Sequence, residues 1–72
     1  MKPEKNIKII VNGLGEVVPA NSSLADLITL FNEEDVHLIV ELNGRFIYSE
    51  DYSYQKVKED DCLEFIHPNI GG

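Results

Sequence analysis

Two Asn-Gly pairs, each set after a run of apolar β-forming residues, constrain this chain more than any other feature. NIKIIV runs into Asn12-Gly13, and HLIVEL runs into Asn43-Gly44. A two-residue turn between antiparallel strands needs positive φ at both central residues, a conformation that asparagine and glycine adopt at low steric cost. Each pair therefore predicts a β-hairpin. Asn6 to Asn12 reads as the first strand, with β-branched residues in partial alternation. After a Gly13 to Gly15 loop, EVVP reads as a short second strand, and Pro19, which has no N–H to donate, suits a sheet edge or a strand end. His37 to Leu42 is the third strand and RFIYS the fourth. A polar Asp60-Asp61 turn then leads into CLEFIH, the last strand.

One segment between the hairpins has a different period. Asn21 and Ser22 or Ser23 can cap a helix, and Ser23 to Asp26 approximates a capping box with Asp in place of Glu. Leu24, Leu27, Ile28 and Phe31 then fall on one helical face, which predicts a helix ending near Asn32 or Glu33. The stretch EDYSYQKVKEDD, from Glu50 to Asp61, has no clean period and reads as an irregular connection with one short helical turn. The resulting order, two strands, a helix and three strands, is α+β, with a single helix on one face of the sheet. Alternation assigns Ile7, Ile9, Val11, Leu38, Val40, Leu42, Leu63 and Phe65 to the helix side. It assigns Ile10, Ile39, Glu41, Cys62, Glu64 and Ile66 to the other.

Seventy-two residues predict one domain, and 43% hydrophobic with 26% charged residues is a globular composition. The apolar runs fall far short of the roughly 20 residues that span a bilayer, and MKPEKN leads into no signal-peptide core. A cytoplasmic protein without membrane contact is the expectation. Thirteen acidic against six basic residues give a net charge of −7, which opposes binding to nucleic-acid phosphates and favours a protein partner with a basic face. Cys62 is the lone cysteine. It allows no internal disulfide and, with His37 and His67 distant in sequence, matches no structural zinc spacing.

Other chemically suggestive residues have plain structural readings. Cys62 reads as a small packed hydrophobe with no base beside it. His37 and His67 read as solvated, with His67 placed to touch a partner. Tyr48, Tyr52 and Tyr54 with Phe46 are expected to pack the irregular connection. The acidic runs Glu33 to Asp35 and Glu59 to Asp61 read as solvated element ends, not as metal ligands. No set of nucleophile, base and oxyanion donors can be assembled, so an enzyme is not expected.

The order of elements, VNG after the first strand, LADL on the helix, VELNGRFI as a hairpin and GG at the end together resemble the ubiquitin-like β-grasp sulfur carriers. Within that class the likeness is to the ThiS-type carriers of thiamine biosynthesis, and it covers nearly the whole chain. The residues HPNI before the final pair and the aromatic stretch from Glu50 to Lys58 depart from the family pattern. The resemblance implies a mixed four- to five-stranded sheet with one helix packed on one face. It implies a β-grasp domain over residues 1–66 and a flexible tail over 67–72.

It also implies a carrier that is a substrate of enzymes and not itself a catalyst. A ThiF-like adenylating enzyme would use ATP to activate the Gly72 carboxylate. A sulfur donor such as a cysteine desulfurase or persulfide protein would convert it to a thiocarboxylate, and a ThiG-like thiazole synthase would accept the sulfur. No bound cofactor is expected, since ATP belongs to the partner. Gly71, Ile70 and Pro68 would thread the tail into a narrow channel, with Pro68 stiffening its base. From Ile66 to Gly72 an extended chain reaches on the order of 20 Å. Ile10, Ile39, Ile66 and His67 would form a docking patch beside the tail root. The alternatives are a MoaD-type carrier for molybdopterin, a ubiquitin-like modifier, and a plain β-grasp interaction module.

Overall fold

A computed structural model describes residues 5–68. Five strands form one mixed sheet: β1 (Asn6–Val11), β2 (Leu14–Pro19), β3 (Ile39–Leu42), β4 (Arg45–Ile47) and β5 (Cys62–Ile66). Their spatial order is β2-β1-β5-β3-β4. The helix α1 (Leu24–Leu30) connects the two hairpins. β1 and β5 run parallel at the centre, and every other pairing is antiparallel. The architecture is the β-grasp expected from the resemblance.

Both turns have the conformation their sequences require. φ is 50° at Asn12 and 84° at Gly13, and 53° at Asn43 and 81° at Gly44. Val11 pairs with Leu14 and Leu42 with Arg45, so each turn has two residues. The first connection is thus Asn12-Gly13 alone, and β2 starts at Leu14, earlier than the expected Gly13 to Gly15 loop allows. Pro19 ends β2 at the sheet edge, where its missing donor leaves no ladder bond unmade. β4 is shorter than RFIYS because Tyr48 leads into a 3₁₀ turn, Ser49–Asp51.

The capping box at the start of α1 is complete. The Asp26 N–H donates to Ser23 Oγ and the Ser23 N–H donates to Asp26 Oδ2, both at 3.0 Å. The other exposed N–H groups of the first turn are met by the irregular connection: Leu24 donates to the Gln55 carbonyl and Ala25 to the Tyr52 carbonyl. That segment is therefore a structural part of the fold, and it sends Val57 into the core. At the other end Asn32, with φ 58°, stops the helix. Its N–H donates to the Thr29 carbonyl and that of Glu33 to the Ile28 carbonyl, the paired closure of a Schellman motif.

Ile9, Val18, Leu24, Leu27, Val40 and Leu63 are the most completely buried side chains. They come from both hairpins, the helix and the central strand, so the core lies between α1 and one sheet face. Val11, Leu42 and Phe65 join it, with Ile7 and Leu38 partly buried at its margin. The alternation assigned that face correctly. Phe31 at the end of α1 meets Phe65 on β5 with ring centroids 6.3 Å apart.

Candidate functional site

β5 is the element that delivers the chain to its C-terminal segment, and it is held from both sides. Its neighbours β1 and β3 each end in an Asn-Gly turn, and both asparagine side chains reach across to it. Asn12 Oδ1 accepts from the Phe65 N–H at 2.8 Å. Asn43 Oδ1 accepts from the Cys62 N–H at 2.9 Å, while its Nδ2 donates to Asp61 Oδ1 at 3.0 Å. The two turn residues thereby extend the ladder beyond the paired backbone. Sequence reading took them as turn formers only. Asp61, expected to be solvated, is buried and also accepts the Lys58 N–H at 2.8 Å.

Ile39 and Ile66 are direct cross-strand partners, half-buried on the face away from α1. Ile10 shares that face but pairs with Cys62, four residues back along β5. At about 3.3 Å per residue that separates Ile10 from the Ile39–Ile66 pair by roughly 13 Å. The expected three-isoleucine patch is thus one pair and one outlier. Between them lies Glu41 opposite Glu64, with Phe46 continuing the row on β4. Neither glutamate has an ion-pair partner among the described residues. Two like charges directly opposite each other in a sheet are destabilising.

Aromatic side chains enlarge the apolar part of this face. Phe46 and Tyr48 pack edge to face, with centroids 4.9 Å apart and an interplanar angle of 87°. Both are exposed, as is Tyr54, and of the four aromatic residues expected to pack the irregular connection only Tyr52 joins the core. Burial there pushes the Tyr52 hydroxyl up from its ordinary range. Cys62 is also exposed, because β5 alternation turns it away from the helix. The packed-hydrophobe reading of Cys62 is therefore corrected.

His67, the first residue after β5, is not simply solvated. Its Nε2 lies 2.8 Å from Glu33 Oε1 and its Nδ1 lies 3.1 Å from Asp35 Oδ2. The Asp35 hydrogen bond raises the His67 imidazole above its ordinary value, partial desolvation opposes it, and the Glu33 charge adds to the rise. The same acids correct the reading of Glu33 to Asp35 as a wholly solvated run. Pro68 follows, half-buried. Ile70, Gly71 and Gly72 lie outside the described residues. No group of side chains suited to holding a metal ion occurs among the described residues, and none of their helices is long and apolar enough to cross a membrane.

The family pattern extends past the last strand. The ThiS family model matches residues 5–72, taking in every element of the sheet and the final two glycines. The chain belongs to the ThiS family. Among solved structures, it is similar to the thiamine biosynthesis protein ThiS from Geobacter metallireducens. That likeness has 26% sequence identity and a TM-score of 0.82, over 92% of this chain and all of the other. A search of the curated proteins finds no match.

Proposed function

We propose that this member of the ThiS family is a sulfur carrier for thiamine biosynthesis and that the carboxyl group of Gly72 is its working group. The observation that carries the reading is the family match through Gly72 on a β-grasp scaffold. In this reading the protein is a substrate, and the chemistry falls to partners. The carboxylate, ionised at neutral pH, attacks the α-phosphate of ATP on a ThiF-like enzyme, and pyrophosphate leaves. A persulfide sulfur then displaces AMP from the acyl carbon. Once a thiol reduces the remaining sulfur–sulfur bond, a thiocarboxylate is left to deliver sulfur to a ThiG-like thiazole synthase.

In this reading the residues that follow β5 carry Gly72 to the partner's nucleotide. Side chains on the last two residues would obstruct a narrow channel to a buried nucleotide, so glycine suits both positions. Docking falls to the sheet face that α1 leaves uncovered. Ile39, Ile66 and Phe46 provide its apolar contacts, and Glu41 and Glu64 select a partner surface that brings a basic side chain between apolar ones. The cytoplasm, where ATP and reduced thiols are available, is the compartment this chemistry needs.

Incubation with a cognate activating enzyme and ATP is expected to give an acyl-adenylate at Gly72 and pyrophosphate. Deletion of Gly71 and Gly72 should abolish both. Pyrophosphate release unaffected by that deletion contradicts the reading and favours a plain interaction module. Covalent conjugates to lysines of other proteins would instead identify a modifier.

A further inference from the structure

We propose that His67, Glu33 and Asp35 form a proton-dependent clasp that sets the direction in which the chain leaves β5. Both ring nitrogens of His67 face carboxylate oxygens, at 2.8 Å and 3.1 Å. A neutral imidazole has one N–H and one lone pair, so it can donate to only one of them and must turn a lone pair toward the other. Only the imidazolium satisfies both contacts. The geometry therefore has two states, closed when His67 carries two protons and open when it carries one.

The receiving half of the clasp is anchored by hydrogen bonds that do not involve His67. Glu33 occupies the position that closes the Schellman motif, its N–H bonded to the Ile28 carbonyl at 2.9 Å. Asp35 is held in a side-chain turn, its Oδ1 accepting the His37 N–H at 2.8 Å and its carbonyl accepting the Leu38 N–H at 3.1 Å. Asp35 Oδ2 is thereby left free for His67. The segment joining α1 to β3 thus presents two oriented carboxylates to the end of β5, and Phe31 against Phe65 holds the elements together beneath them. The described charged groups around the ring are Glu33 and Asp35, with His37 sharing Asp35 through its backbone.

The pH window follows from both partners. His67 is raised, so its contribution is present below its unfolded value, about 6.5, and is lost as pH rises through the higher folded value. Asp35 is lowered, first by the His37 N–H and then by His67, so its contribution is lost only as pH falls through a value below the ordinary carboxylate range. The clasp is closed between those limits and opens on the alkaline side. Directly before Pro68, whose φ is restricted, a fixed His67 sets the direction in which the backbone leaves β5, and release removes that constraint. Glu33, Asp35 and His67 are positioning residues for whatever chemistry the tail carries.

The test uses the full ¹⁵N-labelled chain alone, across about pH 5 to 9, spanning the range where a shifted histidine titrates. The His67 ring and the backbone heteronuclear NOEs of Ile70, Gly71 and Gly72 are followed together. The clasp predicts that His67 titrates above the free-histidine value and that the tail NOEs fall with the same midpoint. In the Glu33→Gln, Asp35→Asn double variant the His67 midpoint should drop and the NOEs should lose their pH dependence. In His67→Gln they should also be flat. Tail NOEs that stay constant through the wild-type His67 transition overturn the proposal, as does a His67 midpoint unchanged in the double variant. Neither ATP nor sulfur takes part, so the outcome is separate from that of the carrier reading, on which the clasp does not rest.

Discussion

Asn43 combines a turn conformation with two hydrogen bonds to the segment entering β5, and no other residue type does both. Alanine at this position loses a donor and an acceptor contact and must still adopt φ 53°. At about 1 kcal/mol per hydrogen bond and about 1 for the left-handed backbone, Asn43→Ala should destabilise the fold by roughly 2–3 kcal/mol. Urea unfolding measures this, and a loss under about 0.5 kcal/mol, the scale of ordinary surface substitutions, would show that the side chain acts only locally. The turn itself was legible in the sequence, since Asn-Gly between apolar runs has few other uses. The reach to Cys62 and Asp61 was not, because it depends on which strand lies beside β3. The same limit applies to His67. Its exposure was legible, but its two acids lie 34 and 32 positions away, and only the fold brings them together.

Among the elements, α1 shows how a weak local signal becomes decisive. Seven residues are too few for a stable isolated helix, so its caps and its burial against the sheet decide whether it forms. Ser23→Ala should cost about 1 kcal/mol by removing the Oγ acceptor of the box. The partner residue makes a separate pH prediction. Hydrogen bonds from Ser23, first its N–H and then its hydroxyl, hold Asp26 below the ordinary carboxylate range. A lowered folded value means that this contribution is present above the unfolded value and is lost as pH falls through the folded one. Thermal melts of Asp26→Asn should therefore show a shallower decline below about pH 4 than the parent, whereas parallel acid limbs would contradict the assignment. The helix and its apolar face were legible from Leu24, Leu27, Ile28 and Phe31. The connection after β4 was not, because its structural contribution lies in carbonyls offered to α1 and in the unevenly spaced Tyr52, Val57 and Asp61, and neither leaves a periodic trace.

At the level of the whole molecule, the order of elements and the two sheet faces were legible because burial on one face alone forces strict alternation. The shape of the candidate docking surface was only half legible. Alternation placed Ile10, Ile39 and Ile66 on one face, but the parallel β1–β5 register put Ile10 against Cys62, and no pattern within a strand reveals that offset. The opposed glutamates bear directly on how this face is used. Glu64→Gln should stabilise the free protein by a few tenths of a kcal/mol by relieving a like-charge pair, and should weaken binding to a cognate activating enzyme. A variant that binds undiminished would move docking elsewhere. The central claim concerns the residue at the far end of the tail, and intact mass spectrometry of protein isolated from its own cells tests it most directly. The account predicts a species heavier by the difference between one sulfur and one oxygen, located in the C-terminal peptide and not at Met1, and removed when the thiocarboxylate is alkylated. A C-terminal peptide that remains an unmodified carboxylate, even with the activating enzyme and sulfur donor co-expressed, would contradict it.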